Sequence, residues 1–147
     1  MNIKKMLFAT DFSPTSESAI EYAASLAKDN GAMLLIVHVQ EPTPPIPAGE
    51  IYFPVPSVPS PELREMLENV VPSGTLRIEH RLLVGAPAEE IVNCAELENV
   101  DLIVMGTHGR TGLSRLLMGS VAEAVLRRAP CPVLTFKQTD LVPAEAA

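Results

Sequence analysis

Apolar residues along this chain come in two rhythms. Ile3 to Thr10, Met33 to Val39, Val100 to Met105 and Pro132 to Phe136 are short, nearly unbroken apolar runs, and Leu76 to Val84, marked by Ile78 and Leu82, joins them. Such runs predict strands. Met33 to Val39 is apolar almost throughout, which predicts a strand buried on both faces, because a one-sided antiparallel strand would alternate. Between the runs, apolar positions recur at helical spacing. Ser13-Pro14 supplies an N-cap and a proline at the first helical position, Ile20, Ala23, Ala24 and Ala27 share one helix face, and Asn30-Gly31 stops the helix. So much alanine lets that helix lie close against a sheet. Pro61 to Val71 predicts a short helix with Leu63, Met66, Leu67 and Val70 on one face. Gly85-Ala-Pro87 opens a third, carrying Ile91, Cys94, Ala95 and Leu97, with Glu89 and Glu90 in the first turn where the dipole favours them. Ser120 to Arg128 predicts a fourth, ending in two arginines that suit a helix C-terminus. Strand and helix thus alternate about four times, which argues an α/β domain with a parallel sheet and right-handed crossovers.

One segment breaks the alternation. Glu41 to Pro61 holds eight of the chain's 14 prolines (Pro42, Pro44, Pro45, Pro47, Pro54, Pro56, Pro59 and Pro61). It is excluded from helix and from central strand and predicts a long extended loop over 42–61. Its apolar residues Ile51, Tyr52, Phe53, Val55 and Val58 suit a cover over a site, contact with a partner, or ordinary packing on the domain. The expected organisation is one domain over 1–138 and a flexible C-terminal tail over 139–147.

Composition narrows the function classes. The 147 residues suffice for one buried core, and with aromatics at 4% and no Trp that core is built from Ile, Leu, Val, Ala and Met. A formal charge of −7 argues against general attraction to nucleic acid or anionic membrane. Locally the balance reverses: no carboxylate stands between Asp101 and Glu123, while Arg110 and Arg115 do. Cys94 and Cys131 form no C-x-x-C and read as two buried thiols in a reducing compartment. The N-terminal apolar run is too short for a signal peptide and no stretch approaches a membrane span, so the expected location is cytoplasmic.

The chemistry concentrates in Gly106-Thr-His-Gly109-Arg110-Thr-Gly112-Leu-Ser-Arg115-Leu-Leu-Met-Gly119-Ser120. This loop follows an apolar strand and opens a helix. That order sets backbone N–H groups and a positive helix end at the carboxyl edge of a sheet, where a phosphate can sit. It is neither a Walker A loop nor a G-x-G-x-x-G fingerprint. Gly106 is expected to let the chain turn under a ligand, Gly109 to take a φ that a Cβ resists, and Gly119 and Ser120 to offer unobstructed N–H groups.

Gly106-x2-Gly109-x9-Gly119-Ser120 resembles the G-x2-G-x9-G-[S/T] motif of the universal stress protein family, specifically of its ATP-binding branch. Phe8-Ala9-Thr10-Asp11-Phe12-Ser13, Val37-His38-Val39, Gly85-x-Pro87-x-x-Glu90-Ile91, Asp101 to Gly109 and Pro130-Cys-Pro132-Val133-Leu134 are similar to other parts of the family pattern. The resemblance covers essentially residues 1–138. It implies a Rossmann-like, five-stranded parallel sheet of order 3-2-1-4-5 with helices on both faces, and a homodimer. It also implies roles. Thr10 and Asp11 end the first strand, and Asp11 faces the ribose or an Mg2+ or Mn2+ ion held by the phosphates. The backbone of Val39 meets the adenine edge. Met105 and Gly106 lie by the ribose, and Gly109, Arg110, Gly119, Ser120 and Val121 lie along the phosphates. The proline-rich stretch departs from the pattern, since related chains more often carry a longer second helix there.

The residues by themselves leave alternatives open. The glycine loop also suits a tight turn with no ligand, Asp11 also suits a cap on the first helix together with Ser13, and Met105 is first a core residue. His38, His80 and His108 have no metal-ligand spacing; His108 either reaches a phosphate or is solvated, and Arg110 is the better phosphate partner than Arg115. Three functions follow. The first is an ATP-binding stress-response regulator, holding ATP, ADP or AMP, with slow or no hydrolysis and an unidentified protein partner. The second is a slow ATPase or phosphotransferase, disfavoured because Asp11 is the one carboxylate expected at the site mouth. The third is a nucleotide-free interaction module, against which the intact glycine motif argues.

Overall fold

The computed structural model describes residues 1–53, 55–72, 74–107 and 118–137. The strands β1 (Lys5–Ala9), β2 (Met33–Gln40), β5 (Ile78–Val84), β6 (Leu102–Gly106) and β7 (Val133–Phe136) form one sheet of order β5-β2-β1-β6-β7. Every pairing in it is parallel. Setting aside a separate hairpin, this is the expected 3-2-1-4-5 order. The helices are α1 (Pro14–Asn30), α2 (Pro61–Glu68), α3 (Pro87–Leu97) and α4 (Ser120–Arg128).

Strand alternation sorts the core into two layers. Met6, Phe8, Leu34, Ile36 and Val104 pack with the alanines of α1 and Leu67 of α2. Leu7, Leu35, Val37, Ile103 and Met105 pack with Ile91, Cys94 and Ala95 of α3 and Ala122 and Val125 of α4. Both faces of β1, β2 and β6 are thereby buried, the physical reason their sequences barely alternate. The chain runs outward from β1 to β5 and then crosses through α3 to β6 on the other side of β1. The sheet's switch point thus lies between the carboxyl ends of β1 and β6, where open α/β sheets bind ligands. The opposite edge is tied by side chains: Asp101 Oδ2 accepts from the N–H groups of Lys4 (2.9 Å) and Lys5 (3.0 Å). Nearby, Glu98 pairs with Arg81 and with Lys5 (3.2 Å), and these partners, Arg81 first, hold its carboxyl below the usual range.

Four expectations change. The proline-rich segment is no plain loop. It contains an antiparallel hairpin, β3 (Ile46–Ala48) and β4 (Ile51–Phe53), closed by Gly49-Glu50 with Gly49 at φ 68°. A two-residue turn that starts at a glycine with positive φ fits hairpin twist, and a two-stranded ribbon tolerates Pro47 because each strand is an edge. Leu97, expected on the buried face of α3, is 82% exposed, since it stands about 240° round the helix from Ile91. Met66, one residue round from buried Leu67, is 43% exposed for the same reason. Cys94 is buried, but Cys131 is only half-buried, because it precedes the edge strand β7. Among the described residues, no helix is long and apolar enough to cross a membrane.

Candidate functional site

A cleft of about 600 Å³ opens at the carboxyl edge of the sheet. Thr10, Asp11, Val39, Met105, Gly106, Gly119, Ser120 and Val121 all line it. Eight of the ten residues chosen from sequence therefore come together, from four separate stretches of chain. The other two, Gly109 and Arg110, lie outside the described residues, as do His108 and Arg115. The size suits a small-molecule ligand.

One wall is the junction of β1 and α1. Thr10 N–H donates to Val37 O (2.9 Å), and Thr10 Oγ1 accepts from Phe12 N–H (3.1 Å). That second bond holds the turn in which Phe12 takes φ 63°, an uncommon value for an aromatic residue. Asp11 is turned back by this geometry. Its Oδ1 accepts from Ser16 Oγ (2.7 Å) and from Ser13 N–H (3.0 Å). Burial works to raise the Asp11 pKa, but hydrogen bonds from Ser13 and Ser16 and from the backbone outweigh it and hold the carboxyl below its ordinary value. Ser13 Oγ meanwhile accepts from Ser16 N–H (3.3 Å), so the helix cap and the carboxylate share one network. Both open readings of Asp11 are compatible with this arrangement: it braces the start of α1 and it faces the cleft.

The facing wall is the junction of β6 and α4. Gly106 pairs with Phe136 as the last strand residue, and Thr107 N–H still donates to Phe136 O (2.9 Å). Gly106 is therefore still a strand residue and not the turn expected there. Gly119 is the N-cap of α4 at φ −71° and ψ 159°, a conformation open to any residue. Its importance lies in the missing side chain: no side-chain hydrogen bond caps α4. One expectation is corrected here. The Gly119 N–H is not free, because it donates to Thr107 O. The amides left without intrahelical partners are those of Ser120, Val121 and Ala122 in the first turn, where the helix dipole is positive.

Sequence reasoning missed several lining residues. His38 Nδ1 lies 2.8 Å from Thr10 O and, facing a carbonyl, carries the proton there; its ring stands 4.4 Å from that of Phe12. Ser16, 6% exposed, borders the cleft and bonds to Asp11 within it. Gln40 lines the cleft and also holds the proline-rich segment, donating to Val58 O (3.0 Å) and accepting from Ser60 N–H (2.8 Å). Glu41 also lines the cleft, so Asp11 is not the sole carboxylate there. The cause is that β2 runs on to Gln40, one residue past the expected end, and carries Glu41 to the rim. The Val37-His38-Val39 pattern was the one sequence signal near these residues. Among the described residues, no cluster of three or more His, Cys, Asp or Glu side chains is placed to hold a metal.

Comparison with known proteins agrees with this architecture. The family model described as "Universal stress protein family" matches residues 2–137. The chain is 39% identical over 140 residues to universal stress protein MJ0531 of Methanocaldococcus jannaschii, covering 92% of this chain and 82% of that one. The solved structure of universal stress protein UspA from Lactobacillus plantarum superposes with a TM-score of 0.71 at 20% identity, covering 92% of this chain and 99% of that one, which is a likeness of fold. A crystal structure of a universal stress protein in complex with cAMP matches with a TM-score of 0.68 at 25% identity, covering 93% and 98% of the two chains.

Proposed function

The chain belongs to the universal stress protein family, and from that premise we propose that it is a nucleotide-binding regulatory protein of the family's ATP-binding branch. The ligand is an adenine nucleotide, ATP or else ADP or AMP, held with slow or no hydrolysis. The observation that carries the reading is the bare amino end of α4, set opposite Asp11 across one cleft. Uncapped amides and a positive dipole want an anion, and a carboxylate wants a hydroxyl donor. A nucleotide offers both, one phosphoryl tail and one ribose. The solved relative in complex with cAMP supports the same ligand chemistry.

In this reading Val39 meets the base through its backbone, Met105 and Gly106 border the sugar, and Gly119, Ser120 and Val121 follow the phosphates with Gly109 and Arg110. Phosphate oxygens contact the amides of Ser120 and Val121, and Gly119 acts by leaving the space open. An Mg2+ or Mn2+ ion enters with the phosphates, and Asp11 is the residue placed to share it. A homodimer belongs to the same proposal, and sedimentation with and without nucleotide reads it.

The test is direct. A denatured extract of purified protein is analysed for adenine nucleotides, and ligand-stripped, folded protein is titrated calorimetrically with ATP, ADP and AMP, with and without magnesium or manganese. Saturable binding of at least one is expected. No heat with any of them overturns the proposal. Turnover clearly above that of a Gly109→Arg control would move the reading to an ATPase.

A further inference from the structure

Ser16 stands one turn into α1 and is buried, yet its hydroxyl meets the cleft carboxylate. It donates to Asp11 Oδ1 at 2.7 Å. Its oxygen lies 3.3 Å from Ser13 Oγ and 3.5 Å from Asp11 N. A hydroxyl has one proton and two acceptor sites. With the proton given to Asp11, Ser16 can accept from both the Ser13 hydroxyl and the Asp11 amide. All three donors then point one way, toward a charged carboxylate held in one rotamer.

Helix capping does not require this hydroxyl. The cap is the Ser13 side chain accepting from the Ser16 backbone N–H, which an alanine at position 16 would keep. Packing does not require it either, since the same helix face buries Ala19, Ala23 and Ala27. What the hydroxyl adds is a short bond to one oxygen of Asp11.

We propose that Ser16 is a positioning residue for nucleotide recognition: it locks Asp11 so that the carboxylate meets the ribose in one fixed orientation. The inference rests on the cleft being an adenine-nucleotide site, with Asp11 on the sugar. Ser16 borders the cleft, and its role runs through Asp11: it removes the rotation that Asp11 would otherwise lose on binding.

The experiment titrates the full-length protein with AMP, 2′-deoxy-AMP and 3′-deoxy-AMP in EDTA, so that no metal enters. It compares the parent with Ser16→Ala, Ser16→Cys, Asp11→Ala and the Ser16→Ala/Asp11→Ala double variant, each checked by thermal melting. Ser16→Ala is expected to weaken AMP about tenfold, the scale of one charge-assisted hydrogen bond, and to narrow the preference for AMP over whichever deoxy analogue the parent disfavours. Ser16→Cys, which keeps the volume with a weak donor, is expected to do the same if the alanine variant folds poorly. The double variant is expected to bind no more weakly than Asp11→Ala alone. Unchanged AMP affinity in folded Ser16→Ala or Ser16→Cys overturns the inference. So does equal weakening for all three ligands, or additivity with Asp11→Ala. A parent that binds none of the ligands, here or among the nucleotides tested above, overturns the nucleotide reading and this inference together; a parent that binds, with an indifferent Ser16, overturns this inference alone.

Discussion

Two strand-to-helix junctions flank the switch point of this sheet, and they are built on opposite plans. After β1, the chain fills its own needs. Ser13 caps α1, Thr10 ties Phe12, and Asp11 accepts from Ser13 and Ser16. After β6, the chain leaves its needs open. Gly119 caps α4 with no side chain, and the first-turn amides beyond it have no intrahelical partner. One junction presents a fixed negative group and the other a fixed positive one, across the same cleft. The lesson is that a satisfied helix end supplies rigidity, and an unsatisfied one supplies affinity.

The comparison breaks most sharply if the second junction is rebuilt as a copy of the first. Gly119→Asp puts a capping carboxylate at an N-cap whose backbone already suits it. Nucleotide affinity is expected to fall at least about a hundredfold, because the cap takes the amides and repels phosphate. Stability is expected to rise by roughly a few tenths of a kcal/mol, the usual gain over glycine at this position. Calorimetry and thermal melts read the two, and undiminished binding would end the contrast. Gly119→Val is expected to weaken binding strongly as well, by putting a branched side chain where phosphate must come close.

Asp11→Ala attacks the other wall. It strands the Ser13 amide and the Ser16 hydroxyl, so it is expected to cost about 1–2 kcal/mol in urea unfolding as well as about tenfold in affinity. Ser13→Ala sharpens the comparison further. It removes the cap of α1, at about 1 kcal/mol of stability, and is expected to affect affinity less than Asp11→Ala does. The smallest effect is in pH. The folded pKa of Asp11 is depressed, so its stabilisation is complete above the unfolded value of 3.8 and is lost as pH falls through the lower folded value. Glu98, held down by Arg81 and Lys5, follows the same sign. Stability is thus expected to be flat from neutrality to about pH 5 and to drop in more acid solution, with a shallower drop in Asp11→Asn. Urea midpoints across that range measure it.

Much of this was legible along the chain. The Ser13-Pro14 start and Gly31 stop of α1, and the whole of α4, stand where capping and breaker residues predict them. The hairpin around Gly49 was missed because prolines dominate the segment, and a short ribbon of edge strands escapes the rule that bars proline from sheets. Leu97 was misplaced because residue type was weighed above helical angle. His38, Gln40 and Glu41 went unassigned because nothing local shows what a strand's last residues will face.

The sequence alone determined the five strands of the main sheet, the four helices and most of their buried faces, because period, caps and breakers act over a few neighbouring residues. The order of the sheet came from the family pattern carried by several motifs together. Tertiary structure alone decided that Glu41 reaches the cleft, that the Gly119 amide is spent on Thr107, and that Ser16 braces Asp11. Those are questions of which donor finds which acceptor. The answer depends on how strands distant in sequence lie side by side, and a linear pattern of polar and apolar residues does not carry it.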